Sequence, residues 1–225
     1  MRKLLSISGT ALPLLPDCFT QVILPPDDTI SAPVSTHADM IFAYFDDTLF
    51  FHSSYYEKHH HIVDSIIAQS GKRLCITSDK RSKVYPEDVS LNALNIGDKL
   101  ICKADSISCA MRNYSIINTR QGYAGCTALY AAGTVITADP STLSACDANG
   151  IKSHKISGKD ILLPGYDTGF IGGCCGVYGD TVYIYGEPTL SQSGRELTEF
   201  CEANGLSIVS VCNGPVTDIG GIRFI

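Results

Sequence analysis

The same succession of short apolar runs, tight turns and amphipathic stretches recurs along this 225-residue chain, and the recurrence restricts the fold more than any single motif does. Residues 34–78 read as a polar lead-in "VSTHADM", a strand "IFAYF", a turn "DD" and a strand "TLFFHS", then a helix "YEKHHHIVDSIIAQSG" and a strand "RLCITS". Residues 121–157 repeat that order around "QGYAGC", "TALYA", "AG", "TVITAD", a short helix "STLSACDANG" and "IKSHKIS". Residues 165–211 repeat it again, from "GYDTGFIGG" through "CCGVYGDTVYIYGE" and the helix "SGRELTEFCEANG" to "LSIVSV".

The punctuation agrees with the physics of each element. "DD", "AG" and "GD" sit between alternating β-rich runs, where a two-residue hairpin needs residues that tolerate left-handed backbone. Each helix runs out at a glycine (Gly71, Gly150, Gly205), the favoured residue just past a helix end. Leu197, Phe200 and Cys201 fall at i, i+3 and i+4, one apolar face of a helix. The unit is therefore β-β-α-β. A worn copy follows in "YPEDVSLNALNIGDKLICKADSIS" with "CAMRNYSIINT", and a partial one remains in "GPVTDIGGIRFI", whose missing half the segment "KLLSIS…FTQVILPP" supplies. The expectation is an α/β fold of one domain, a pseudo-fivefold propeller whose ring is closed by the N- and C-terminal segments. Its units span approximately 34–84, 85–119, 120–160, 161–212, and 213–225 completed by 1–33.

Composition narrows the partners. A formal charge of −6 and a pI near 5.4 argue against a nucleic-acid surface and suit a small cationic ligand. No run approaches the ~18 to 20 apolar residues that cross a bilayer, so no membrane role is expected. Pro13 and Pro16 interrupt the apolar start, which lacks a secretory signal, and a cytoplasmic protein is expected. The ten cysteines contain no CxxC, and the adjacent pair Cys174-Cys175 lies in an apolar run that reads as core. His59–His61 read as a polar helix start rather than a metal site; no metal and no cofactor are expected. An oligomer is compatible with the composition.

Five such units resemble the pentein fold of guanidine-modifying enzymes: arginine and agmatine deiminases, dimethylarginine hydrolases and amidinotransferases. The lead-ins "HADM", "NTRQGYAGC", "GYDTGFIGG" and "DIGGI" also resemble an uncharacterised bacterial branch of that superfamily. The resemblance implies a His-x-Asp at one lead-in, a nucleophilic Cys two units later, and acidic residues that hold a guanidinium. His37 and Asp39 match the first, and counting units puts Cys126 at the second. Asp167 and Asp218 stand at the following lead-ins, and the worn unit offers Glu87 and Asp88. Arg120 and Gln121 are candidates for orienting a substrate carboxylate.

Each residue also has a plainer reading. Cys126, where a strand is expected to begin, can be a buried filler thiol; His37, Asp167 and Asp218 can shape turns; Arg120 can be a surface residue; Asp139 caps the helix after it. "DIGGIRFI" resembles a nucleophile strand yet carries Phe224 where a Cys would stand, which leaves the register match open between that strand and Cys126. Two functions follow. One is a metal-free hydrolase or amidinotransferase for guanidines or amidines, with Cys126 as nucleophile, His37 as acid/base, and Asp39, Asp167 and Asp218 around the cation. The other is an inactive binding protein on the same scaffold, for a cationic metabolite or a protein partner.

Overall fold

The computed structural model describes residues 4–225. β1 (Leu4–Ser8) and β2 (Phe19–Ile23) run parallel, Ser6 opposite Gln21. After them the β-β-α-β order is realised four times. The first unit holds α1 (Ala38–Ile41), a single turn, then β3 (Phe42–Phe45), β4 (Thr48–His52), α2 (Ser53–Ser70) and β5 (Arg73–Thr77). The second keeps β6 (Leu94–Asn95), β7 (Lys99–Cys102) and β8 (Ser115–Asn118), but its helix has shrunk to a 3-10 turn at Cys109–Met111. The third holds α3 (Ala124–Thr127), β9 (Ala128–Ala131), β10 (Thr134–Thr137), α4 (Pro140–Ala148) and β11 (Ser153–Lys155). The fourth holds α5 (Ile171–Cys174), β12 (Cys175–Tyr178), β13 (Thr181–Tyr185), α6 (Gln192–Ala203) and β14 (Ser207–Cys212). β15 (Arg223–Phe224) returns to the N-terminal pair, antiparallel to β1 with Phe224 opposite Ser6.

The result is a mixed α/β fold of five three-stranded sheets and six helices among the described residues. In four sheets a two-strand antiparallel hairpin is extended by a third strand parallel to its second. The hairpin turns take the left-handed backbone that their sequences suggest: φ is positive at Asp46, at Ala132 and Gly133, and at Gly179. Helix starts are chemically fixed. His52 Nδ1 accepts from the Ser54 N–H, Asp139 Oδ1 from the Thr142 N–H at 2.7 Å, and Ser191 Oγ from the Gly194 N–H at 2.8 Å. Asp139 is thus a helix cap, and Gly71, Gly150 and Gly205 carry the positive φ of helix ends.

Five apolar clusters each join one unit to the next. Phe45 and Phe50 pack with Leu91 and Met111 between the first and second units, and Leu94 and Ile117 with Val135 and Cys146 between the second and third. Ile136 packs with Val182 and Leu197 between the third and fourth, and Tyr183 and Val211 with Leu12 and Phe19 between the fourth and the terminal sheet. Leu5 and Ile7 of that sheet then pack with Phe42, Phe51 and Tyr55 of the first unit. Cys174 and Cys175 are fully buried in this core. His59 and His60 are half-buried and His61 is exposed on α2, away from its start. Among the described residues no three His, Cys, Asp or Glu side chains are grouped to hold a metal ion, and no helix is long and apolar enough to cross a membrane.

Cys126 corrects one expectation. It is the third residue of the single turn α3, and β9 begins two residues later, at Ala128. Its N–H donates to the Tyr123 carbonyl at 3.1 Å, so the chain winds once before it extends.

Candidate active site

The segments that lead into the first strands hold one another together. The Asp39 N–H donates to the Gly220 carbonyl at 3.0 Å, and the Gly221 N–H to the Gly173 carbonyl at 2.8 Å. A Cβ on Gly125 would press on the Ala93 carbonyl, one on Gly172 would overlap the Ala128 carbonyl, and one on Gly220 would overlap His37. These glycines let backbones approach to distances that a side chain forbids. A cavity of about 150 Å³ is lined by residues of β3, β6, β9, β12 and β15, among them Tyr44, Asn95, Tyr130, Val177 and Phe224.

The lead-ins surround a second cavity of about 140 Å³. His37, Cys126 and Asp218, from three different units, line it together. Asp39 lies directly behind them. All four are buried, at 4, 4, 3 and 2 % exposure for His37, Cys126, Asp218 and Asp39. His37 starts α1 but makes no side-chain cap, so its ring is free for the cavity; Nδ1 stands 3.6 Å from Asp218 Oδ1. Asp218 is held by two backbone donors, the Phe170 N–H to Oδ2 at 2.9 Å and the Gly220 N–H to Oδ1 at 3.0 Å. Neither carboxylate oxygen of Asp39 has a hydrogen-bond partner among the described residues; Arg223 Nη2 approaches one of them to 3.9 Å.

The electrostatics follow from two buried carboxylates with little positive charge near them. Burial, helped by the negative charge of Asp39, pushes the Asp218 carboxyl up to about 7. Burial holds the His37 imidazole below its ordinary value, against the pull of Asp39. Burial pushes the Cys126 thiol well above its ordinary value, and Asp39 and Asp218 add to the rise. At neutral pH the cavity therefore holds a neutral thiol and a neutral imidazole. A bound cation reverses the balance, because positive charge beside the sulfur favours thiolate.

Asn92 ties these groups together and has no counterpart in any motif. Its Nδ2 lies 3.0 Å from Cys126 Sγ, 3.0 Å from the Asp39 carbonyl oxygen and 3.2 Å from Met40 Sδ, while Oδ1 accepts from the Gly125 N–H at 2.7 Å. The bond to sulfur acts against burial and favours thiolate. The signal for Asn92 in the sequence is positional only: it stands two residues before β6, as Cys126 stands two residues before β9.

The other candidates lie elsewhere. Asp167 is exposed and does not line the cavity, although its neighbours Tyr166 and Thr168 do. Arg120 is exposed. Gln121 turns away to the α4 cap, with Nε2 at 3.4 Å from Asp139 Oδ2 and Oε1 accepting from the Tyr123 N–H. Glu87 pairs with Lys80 on the surface. Asp88 is buried and accepts the Tyr123 hydroxyl at 2.7 Å. Phe224 packs against Phe19 and Tyr183 in the terminal sheet.

A family model described as a family of unknown function (DUF6873) matches residues 15–223. No curated protein sequence matches the chain. Among solved structures it is similar to a cysteine-to-serine variant of DDAH from Pseudomonas aeruginosa complexed with citrulline, at 10% identity and a TM-score of 0.55 over 97% of this chain and 95% of that one. A dimethylarginine dimethylaminohydrolase in an adduct with S-methyl-L-thiocitrulline gives 11% identity and a TM-score of 0.54, with 97% and 95% covered. SxtG, an amidinotransferase of saxitoxin biosynthesis from Microseira wollei, gives 8% identity and a TM-score of 0.53 over 91% of this chain and 72% of that one. The shared architecture is the pentein fold.

Proposed function

The chain belongs to that family of unknown function, and from its fold and its cavity we propose that it modifies guanidines or amidines through Cys126. The observation that carries the reading is the convergence of His37, Cys126 and Asp218 on one small cavity, with the Asp39 carboxylate, which accepts no hydrogen bond among the described residues, behind it. A planar cation seated there completes what the residues lack: Asp218 and Asp39 gain a counter-charge, and the Cys126 thiol becomes easier to ionise. The circuit of unit junctions, which returns through β1 and β15, supports a closed pseudo-fivefold ring in which the lead-ins meet at one end. Ten free cysteines suit a reducing compartment, and we place the protein in the cytoplasm.

The chemistry runs in two halves. With the cation bound, Cys126 loses its proton to the carboxylate pair, and the sulfur attacks the central carbon to form a C–S bond. The C–N bond then breaks as His37, whose Nδ1 stands 3.6 Å from Asp218 Oδ1, takes that proton from the carboxylate and delivers it to the departing nitrogen. In the second half His37 takes a proton from water as the oxygen adds to the carbon, and the C–S bond breaks as His37 gives that proton to the sulfur, which releases a urea or amide and restores the thiol. An amine in place of water gives transfer instead of hydrolysis. Asn92 holds the sulfur on line throughout, an orientational contribution.

A second reading has its own support. Cys126 is buried and its thiol is held neutral, and Phe224 occupies the strand that resembles a nucleophile strand, as in a scaffold that binds a cation without reacting. Cysteine-resolved mass spectrometry after treatment with 2-chloroacetamidine, beside neutral chloroacetamide, separates the two. The enzyme reading expects Cys126 to prefer the cationic reagent while exposed Cys18 and Cys109 show no such preference. Equal rates at Cys126, or no labelling of it, would remove Cys126 as nucleophile.

A further inference from the structure

Resting on the guanidine reading, the walls of the same cavity define which guanidine. The floor is polar, with His37, Cys126 and Asp218, whereas the walls are Val34, Met40, Leu163 and Phe170 with the rings of Tyr123 and Tyr166. His37 and Asp218 are the only ionisable acid or base side chains, phenols and thiol aside, among the described residues that line it. A ligand carboxylate entering with a guanidinium would thus find no cation.

Nor would it find a free neutral donor on the inner wall. The Tyr123 hydroxyl is committed to Asp88 Oδ2 at 2.7 Å. The Thr168 hydroxyl has the carbonyls of Ile161 and Gly169, each at 3.3 Å. Arg81 does not line the cavity: its Nη2 donates to the Met40 carbonyl and lies 3.1 Å from Asp27, both side chains are buried, and its Nη1 has no hydrogen-bond partner among the described residues. In the flanking loop Lys80 pairs with Glu87, and neither Lys80 nor Lys83 lines the cavity. The remaining hydroxyl, that of Tyr166, belongs to a half-exposed ring.

Size adds to this. At ~30 Å³ for each water-sized group, 140 Å³ holds about five such groups, which is a guanidinium or amidinium head with its first carbon. The tail must then pass out by the aromatic side, where Tyr85 lies with its ring 5.7 Å from that of Tyr123. Tyr85 and Tyr166 are two of the few large apolar side chains exposed on the surface. Aromatic faces there bind apolar groups and tolerate the edge of a cation.

We infer that the site takes a guanidinium or amidinium carried on an apolar or aromatic tail without a carboxylate, and that it rejects α-amino acids such as arginine. This separates it from the solved relatives seen with citrulline and S-methyl-L-thiocitrulline, which are amino acids. The selectivity lies where the tail leaves the cavity, because a carboxylate carried past Tyr85, Tyr123 and Tyr166 exchanges part of its hydration for aromatic rings, whereas an apolar tail packs on them.

Isothermal titration of the full chain with phenylguanidine, its neutral counterpart phenylurea, methylguanidine and L-arginine tests this, with product analysis of each mixture. Phenylguanidine is expected to bind at least about tenfold more tightly than arginine and than phenylurea, the ratio for one charged group left unpaired. Tyr166→Ala, at a half-exposed position, should weaken phenylguanidine by a larger factor than methylguanidine. Arginine binding as tightly as phenylguanidine overturns the inference and leaves the guanidine reading standing. Phenylurea binding as tightly as phenylguanidine overturns the guanidine reading and the inference with it. No phenylguanidine binding overturns the inference, and the chloroacetamidine labelling then decides the fate of the guanidine reading on its own.

Discussion

Replacing Asp218 by Asn should make the protein more stable above neutral pH, even though it damages the site. The carboxyl titrates at about 7 in the folded protein against an ordinary 3.8. An acid whose folded value is raised binds more protons folded than unfolded between those two points, so stability falls as pH climbs through that window. A gap of about 3 on the pH scale, at ~1.4 kcal/mol each, sets a ceiling of about 4 kcal/mol for the cost of keeping Asp218 ionised and buried. Well below pH 3.8 the carboxyl is neutral in both states, and Asn is its near-isostere: one oxygen still accepts from the Phe170 or Gly220 N–H. The two stability curves should therefore converge as the pH falls toward 4 and separate by about 2–4 kcal/mol at pH 8, with Asp218→Asn above wild type. His37 titrates in the opposite sense, since its lowered value costs stability as pH drops below 6.5, but it is present in both proteins and largely cancels in the difference. Urea denaturation at constant ionic strength from pH 4 to pH 9 reads this directly. Parallel curves, or a variant less stable than wild type at pH 8, would refute the argument that burial beside Asp39 is what raises this carboxyl.

Two further substitutions probe the supports of the site. Asn92→Ala removes four polar contacts at once and should cost about 2–4 kcal/mol in urea denaturation, with Cys126 becoming slower toward the cationic reagent because its thiolate loses a donor. Gly173→Ala puts a methyl where Asp218 Oδ1 already is, and should destabilise by about 3 kcal/mol or more; adding Asp218→Ala should recover part of the loss, whereas no recovery would show that the clash lies elsewhere.

Hairpins and long helices were legible in the sequence because their requirements are local. Two-residue turns force unusual backbone at Asp46, Ala132 and Gly179, and α6 needs Leu197, Phe200 and Cys201 on one face, so composition at fixed spacing reveals both. The single turns α1, α3 and α5 are four residues each, shorter than any period that could announce them. That is why Cys126 reads as the start of a strand. The site itself was legible in part. The unit count brings His37, Asp39, Cys126 and Asp218 to neighbouring lead-ins, but it cannot tell a residue facing the cavity from one facing solvent. Asp167 and Asp218 look alike in "GYDTG" and "TDIGG", and only the long-range bond from the Phe170 N–H to Asp218 distinguishes the buried one. Asn92 was invisible for the same reason: its partners are 33 to 53 residues away.

The pairing of β1 with β15 also sets a timetable. The inner units each draw their strands from one continuous stretch, so each can be assembled soon after it leaves the ribosome. Ser6, by contrast, finds its partner at Phe224. At 5–20 residues per second the first strand waits on the order of ten to forty seconds for the last one. Leu5 and Ile7 can shelter meanwhile against Tyr55 and its neighbours, but the hydrogen-bonding edge of β1 stays open until β15 has emerged. The vulnerable interval is the wait for β15, when one molecule that still lacks it can offer that edge to another.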